Sequence, residues 1–286
     1  MQDNGLLKYY REKADKAGFL ITGELPFEKD PVVKLKYKME GRDFYIKRCY
    51  PFDVCPEVLL SQVFAAAGLK TAIYLPAIDG QCFAVVSNDV QTDNTIKGTH
   101  FFDVIRDRIA TDTETAAFSG KSGSLVDYTK YLAPKAMHDL ALFQTLDLAC
   151  FNADRHVGNI YADLEDPYDE YRALGFVGFD YGASFTSSET DPRLVKYYNI
   201  FGTGRSQTLF DMQNFLQRKE DILNFLRENE TINTFAPRHE IAETLAGIDT
   251  RGIVADIKEQ TGYDIDKHYA ARIERSLYQT AEQLDQ

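Results

Sequence analysis

A polar loop interrupts strongly apolar sequence near the middle of the chain, and it limits the folds that the chain can adopt. Residues 152–159 read Asn-Ala-Asp-Arg-His-Val-Gly-Asn. They follow residues 134–150, whose apolar spacing predicts a long buried helix. After the loop, residues 160–161 predict one strand and residues 175–180 predict its partner. The pattern therefore predicts a polar loop held between a buried helix and a strand pair.

Three oxygen-bearing side chains lie in these segments, namely Asp154, Asn159 and Asp180. A carboxylate can accept the proton of a hydroxyl nucleophile. An amide oxygen and a second carboxylate can bind Mg²⁺ beside the phosphates of ATP. Phosphoryl transfer needs alignment and charge neutralisation more than covalent help, and these groups can supply both. The order of the three side chains therefore favours a phosphotransferase.

The first ninety residues are rich in predicted strands. Over residues 33–39, apolar residues alternate with lysines, which is typical of a half-buried antiparallel strand. Pro56 predicts the start of a helix, because its missing N–H costs nothing in the first turn, and Gly68 predicts its end. The other elements predicted here are a helix over 3–17 and strands at 19–22, 44–49, 73–78 and 81–87.

The remainder of the chain is predicted to be mostly helical. Residues 111–124, rich in Thr, Ser, Ala and Gly, predict a loop. Besides residues 134–150, the predicted helices cover 99–110, 209–227 and 239–246, within a helical pattern from about residue 194 onwards. We therefore expect an α+β protein with a strand-rich lobe over residues 1–90 and a helical lobe over 91–286, joined at 87–93.

This plan resembles the kinase-like fold, with a small antiparallel N-lobe that carries one helix and a larger, mainly helical C-lobe. The spacing of Asp154, Arg155, His156 and Asn159 resembles the catalytic loop of phosphoinositide 3-/4-kinase-like proteins. With Asn152 included, it is similar to the loop of HipA-type serine/threonine kinases. Around residues 45–47, 57–69 and 75–76 the sequence also resembles the HipA type. The likeness covers about residues 40–185.

The resemblance implies a role for each matching residue. Asp154 would orient or accept the proton of the attacking hydroxyl, and Arg155 and His156 would brace the loop or contact phosphate or substrate. Asn159 and Asp180 would bind Mg²⁺, with Mn²⁺ as the alternative ion. The residues that would bind ATP are Lys47 on its strand, Glu57 as the partner of Lys47, and Ser87 and Asp89 at the joint between the lobes.

Composition argues against several other classes of protein. The net charge is −12 and the pI is about 4.9, which disfavours nucleic acid and anionic membranes as partners. No apolar signal core follows the polar start of the chain and no apolar run is long enough for a membrane span, so a cytoplasmic location is expected, with delivery as a secreted effector left open. The four cysteines are scattered, as in a reduced protein.

Several acceptors fit this chemistry. The leading expectation is a HipA-like kinase that phosphorylates protein Ser or Thr hydroxyls. A phosphoinositide acceptor fits the acidic charge less well. An aminoglycoside-phosphotransferase-like enzyme stays in view, because the acidic stretch at residues 163–170 would attract a cationic substrate. A pseudokinase that only binds nucleotide or protein is the alternative from another class. The oligomeric state is left open.

Overall fold

We describe the fold from a computed structural model of the chain. The residues that the structure describes are 34–39, 42–48, 51–79, 82–111, 131–152, 155, 157–166, 168–182, 184, 195–197, 207–209, 223–224, 227–228 and 230–286. The helix predicted at 3–17, the strand predicted at 19–22 and most of the loop predicted at 111–124 lie outside these residues.

The first sheet has four antiparallel strands in the order β1-β2-β5-β4. The strands are β1 (Lys34–Met39), β2 (Arg42–Arg48), β4 (Tyr74–Asp79) and β5 (Cys82–Asn88). The strand predictions for this region are confirmed to within two residues. Phe44, Ile46 and Val86 belong to a buried apolar cluster on this sheet, and Leu75, Ala77 and Ala84 complete the cluster.

The helix α1 spans Pro51–Ala66, so the prediction that Pro56 opens it was wrong. Pro51 suits the first helical position as well as Pro56 does, because neither has an N–H to satisfy there. The earlier start also buries Val54 and Cys55 against the core, and this burial outweighs the backbone hydrogen bond that Pro56 cannot make. The end is as predicted, with Gly68 in a left-handed conformation at φ +86°.

The second sheet has the order β3-β8-β7-β6. Its strands are β3 (Lys70–Thr71), β6 (Thr95–Lys97), β7 (Ile160–Asp166) and β8 (Asp169–Gly178). The pair formed by β7 and β8 is longer than predicted. Alternation continues through the acidic residues, because Ala162 and Leu164 point inward while Asp163 occupies a half-exposed position.

The short strand β3 comes from the first ninety residues, yet it pairs in parallel with β8. Lys70 is opposite Val177 and Thr71 is opposite Gly178. Gly178 lies against α3, where an added Cβ would stand 2.8 Å from both Phe143 Cζ and Tyr181 Oη. The division of the chain at residue 90 stays a prediction.

Two more helices lie between α1 and the polar loop in the described residues, namely α2 (Gly98–Thr111) and α3 (Pro134–Ala149), both as predicted. In the C-terminal part, β9 (Val195–Tyr197) and β10 (Gln207–Leu209) form an antiparallel pair, so the helical prediction from residue 194 was wrong at these positions. The helices that follow are α4 (Glu230–Phe235), α5 (Arg238–Ala246), α6 (Thr250–Thr261) and α7 (Lys267–Asp285). Among the described residues, no helix has the length and hydropathy needed to cross a membrane.

One buried cluster joins α1, α3, the second sheet and the C-terminal helices. The ring of Phe64 of α1 packs, tilted, at 4.8 Å from Tyr181 and at 5.8 Å from Phe143 of α3, measured between ring centroids. Aromatic pairs at these separations contribute beyond simple burial. The core therefore lies directly beneath the segment that contains Asp180, and it fixes the position of that segment.

Candidate active site

Lys47, Glu57 and Asp180 meet at one point although they come from β2, α1 and the end of β8. The ammonium group of Lys47 donates to Glu57 Oε1 and, over 2.6 Å, to Asp180 Oδ1. Lys47 is only 7% exposed and Glu57 is completely buried. The face that Lys47 takes, which the sequence alone did not decide, is therefore the face toward α1.

Two further hydrogen bonds fix the carboxylate of Glu57 and the backbone of Asp180. Glu57 Oε2 accepts a hydrogen bond of 2.8 Å from the Tyr181 backbone N–H. The backbone N–H of Asp180 donates to the Tyr74 hydroxyl over 3.2 Å. Asp180 has φ +64°, a left-handed conformation that is uncommon for a residue other than glycine. Such strain persists only where surrounding contacts hold it, as they do here.

The electrostatics of the cluster follow from one cation between two carboxylates. Burial would lower the pKa of Lys47, but the charges of Glu57 and Asp180 outweigh it and raise that pKa above its ordinary range. Burial raises the pKa of Glu57 from its ordinary value, and the ammonium of Lys47 opposes that rise. The ammonium is therefore firmly charged, and a bound polyanion would meet a fixed positive group.

Arg155 is a completely buried member of the polar loop. Its Nε donates to Asp147 Oδ2 of α3 over 3.0 Å. Its Nη1 donates to two backbone carbonyls, that of Asn159 over 2.9 Å and that of Phe179 over 2.7 Å. Of the two roles implied for Arg155, the geometry favours bracing the loop over contact with a substrate. One guanidinium thus ties the residue expected to bind metal to the residue before Asp180.

Asp147 holds the guanidinium of Arg155 in place. It also accepts a hydrogen bond of 2.6 Å from Asn152 Nδ2, and both side chains are completely buried. Burial raises the pKa of Asp147 from its ordinary 3.8 to about 6, with the charge of Arg155 opposing the rise. The guanidinium of Arg155 is also close to the rings of Tyr181 and Phe143, at 4.8 Å and 5.4 Å. The pair is therefore enclosed by aromatic side chains that exclude water.

The C-terminal helix α7 also contacts the start of the loop. The Tyr269 hydroxyl donates to Ser184 Oγ over 2.7 Å, and Ser184 Oγ donates to the Cys150 carbonyl over 2.6 Å. Arg272 lies 4.2 Å from the ring of Phe151, which has φ +56°. Sequence reasoning missed these residues, because α7 reads only as an ordinary amphipathic helix.

The remaining predicted residues are placed as follows. Asp154 and His156 lie outside the described residues. Asn159 is 7% exposed, and its carbonyl also accepts a 3.1 Å hydrogen bond from the backbone N–H of Phe179, which is next to Asp180. The backbone of Asn159 therefore lies close in space to that of Asp180, although the two residues are distant in the sequence.

Ser87 and Asp89, the residues expected at the joint, lie at the end of β5. Val85 is opposite Lys47 in the sheet register, so Ser87 lies two residues further along on the face of Lys47. Ser87 is buried, and Asp89 accepts a 3.0 Å hydrogen bond from the backbone N–H of Gln91. Both residues are therefore at the same edge of the sheet as the predicted link between the lobes.

No protein-family model and no curated protein sequence matches the chain. Solved structures do match. The proinflammatory kinase CtkA of Helicobacter pylori is 15% identical, with a TM-score of 0.53 and coverage of 93% of each chain. HipA of the toxin–antitoxin system of Shewanella oneidensis MR-1 is 13% identical, with a TM-score of 0.50 and coverage of 96% of this chain and 70% of that one. At such identities the likeness concerns the fold, and it confirms that this chain has a bilobal, kinase-like α+β fold.

Proposed function

We propose that the chain is an ATP- and Mg²⁺-dependent phosphotransferase. The observation that carries this proposal is the contact of the Lys47 ammonium with both Glu57 and Asp180. A lysine held charged on a strand by a helix glutamate is suited to bind nucleotide phosphates, and an aspartate beside it is suited to hold the metal. The kinase-like fold supports the same conclusion.

The donor groups at the site fit Mg²⁺ together with ATP. Mg²⁺ is bound in proteins by one or two carboxylates plus substrate phosphates, rather than by a cage of protein ligands. In this proposal Asp180 supplies the carboxylate and Asn159 supplies an amide oxygen. When bound, the ion would neutralise charge on the phosphates. Lys47 would hold the phosphates, and Glu57 would keep Lys47 in position.

Asp154 is the proposed base that orients the acceptor hydroxyl, five residues before Asn159. The buried pair of Asp147 and Arg155 would keep this loop and the segment before Asp180 in register. We propose a protein Ser or Thr hydroxyl as the acceptor, as the HipA-type loop spacing implies. His156 would assist beside Asp154.

The test is transfer of radiolabelled γ-phosphate from ATP in the presence of Mg²⁺, to the protein itself and to mixed protein substrates. The wild type should transfer label, and Asp154→Ala should lose roughly 10²-fold or more of the rate, because a positioned base contributes on that scale. Asp285→Ala, at an exposed position near the C-terminus, is the matched control. A wild type that binds ATP without turnover would instead identify a pseudokinase.

Turnover should fall as the pH drops through about 6. Asp147 holds Arg155 in place by an ion pair, which requires the carboxylate of Asp147 to be ionised. Because burial raises the pKa of Asp147 to about 6, the folded protein protonates this carboxylate as the pH falls through that value. Asp147→Asn, which lacks the charge at every pH, should have low turnover and no such inflection. A pH–rate profile of the two proteins measures this, and identical profiles would contradict the assignment.

The same group makes the opposite contribution to stability. Between about pH 6 and the ordinary value of 3.8, the folded chain binds a proton at Asp147 that the unfolded chain does not. Acidification through this range therefore favours the folded state at this site. Denaturant titrations should show the wild type gaining stability relative to Asp147→Asn as the pH falls from 6 to 4 while turnover is lost.

A further inference from the structure

A second cleft, of about 1130 Å³, shares Asp89 with the residues expected to bind ATP but extends over a different set of side chains. Its walls come from α1, β3, the segment after β5, the sheet of β7 and β8, and α6. Among the described residues that line it, none is Lys47, Glu57, Asn159 or Asp180. The volume is slightly above the usual range for small-molecule sites.

Three amide side chains in the lining have unmet hydrogen-bonding capacity. Gln62 Nε2 on α1, Asn88 Oδ1 at the end of β5 and Gln260 Oε1 on α6 are shielded from solvent. Among the described residues none of these atoms has a hydrogen-bond partner. Buried polar groups are nearly always paired, so three such groups at one cleft call for an explanation. A small rotation about the last side-chain torsion, which is broad for amides, would turn each group toward a ligand.

The charges around the cleft restrict the ligand. The lining contains three carboxylates, those of Asp89, Asp163 and Asp256, and one ammonium, that of Lys70. Lys70 already pairs with Asp163. A phosphate group would therefore be repelled, and the whole chain with a net charge of −12 adds to that repulsion. The ligand must be uncharged or cationic.

The amide and apolar side chains of the lining restrict the class of ligand further. Amide side chains pair edge to edge with planar groups that offer a donor beside an acceptor, as they do with nucleobases. Ile73, Val90 and Ile253 add apolar surface for the face of a ring. We propose that this cleft is a second ligand site, which binds a nucleoside or nucleobase without phosphate. The binding does not depend on phosphoryl transfer at Lys47 and Asp180.

Calorimetry with adenosine and guanosine as probes tests the site. The protein is first mixed with Mg²⁺ and a non-hydrolysable ATP analogue, so that the active site is filled. We expect at least one nucleoside to bind, and Gln62→Met and Gln260→Met to weaken its binding by roughly 10-fold or more. Gln279→Met, at an exposed position of α7, is the matched control and should bind as the wild type does.

Three results would overturn the proposal: no binding of either nucleoside, equal binding by all four proteins, or AMP binding as tightly as adenosine. Asp154→Ala should bind nucleoside as the wild type does, although its phosphate transfer is expected to be lost. Failure of the second site is therefore distinguishable from failure of the proposed activity.

Thermal denaturation of the free proteins gives an independent readout. Removing an amide that has no partner should stabilise the free protein, so Gln62→Met and Gln260→Met should raise the melting temperature by about 2 to 4 °C. Gln279→Met should leave it unchanged. A lower or equal melting temperature for both cleft variants would mean that the amides are already satisfied, and it would remove the basis of the proposal.

Discussion

Asp180→Ala is expected to weaken the binding of Mg²⁺–ATP sharply, whereas Asp154→Ala should leave it nearly unchanged. In the proposed arrangement Asp180 holds the metal beside the phosphates, while Asp154 acts on the acceptor hydroxyl only. Loss of one charge-assisted contact of about 3 kcal/mol corresponds to roughly 10²-fold in affinity. Removing Asp180 also frees Lys47 from its 2.6 Å contact, so the phosphate-binding ammonium loses one of its two anchors.

Isothermal titration of the two variants and the wild type with ATP and Mg²⁺ measures this difference. Asp285→Ala controls for the loss of a carboxylate elsewhere on the surface. Equal affinities for Asp180→Ala, Asp154→Ala and the wild type would contradict the roles assigned to the two aspartates. Thermal denaturation of each free variant establishes that it is folded before binding is compared.

Arg155→Met should destabilise the folded protein by about 3 to 5 kcal/mol, since it leaves the buried Asp147 carboxylate without its ion pair. The variant also removes the donor that the carbonyls of Asn159 and Phe179 share. Denaturant titration measures the loss of stability. A loss below about 1 kcal/mol, the size typical of surface ion pairs, would contradict the buried role.

A double variant separates stability from positioning. Replacing the pair by apolar residues, as in Arg155→Met with Asp147→Leu, removes both buried charges and should regain most of the stability. It does not restore the hydrogen bonds to Asn159 and Phe179, so turnover should stay at least roughly 10-fold below that of the wild type. Full recovery of turnover would mean that the pair acts only on stability.

Periodicity in the sequence predicts the elements that bury one face. The alternation around β1 and the apolar spacing of α3 are local signals, and both elements lie where they are expected. The start of α1 depends on tertiary contacts and not on the local sequence. Pro51 and Pro56 are both acceptable at a first turn, and only the core that receives Val54 and Cys55 decides between them. A helix that starts at Pro56 is therefore predicted too short at its N-terminal end.

The earlier start explains how Glu57 reaches Lys47. Ten residues separate the two, which is a short connection for a pairing helix that begins at Pro56. Because α1 begins at Pro51, Glu57 lies in its second turn and contacts β2. The candidate ion pair could thus be named from the sequence, but its geometry depends on how the sheet and the helix pack.

The buried groups that support the candidate active site could not be predicted from the sequence. Asp147 stands among apolar positions of α3, and nothing nearby in the sequence distinguishes it from a solvent-exposed aspartate. Its partner Arg155 lies near the rings of Phe64 and Phe143, which belong to two other elements. Tyr269 is 85 residues from Ser184, so their contact is a product of tertiary structure alone.

The parallel pairing of β3 with β8 restricts how the two lobes can move. A segment from the first ninety residues is hydrogen-bonded directly to the strand that ends just before Asp180, with Ala72 N–H and Thr71 Oγ1 both donating to the Gly178 carbonyl. Buried contacts of Tyr181 with Glu57 and Phe64 of α1 join the same two regions a second time. We therefore expect the backbone beside Asp180 to move together with β3 and α1, so that Lys47 and Asp180 stay in contact during any larger motion of the helical part.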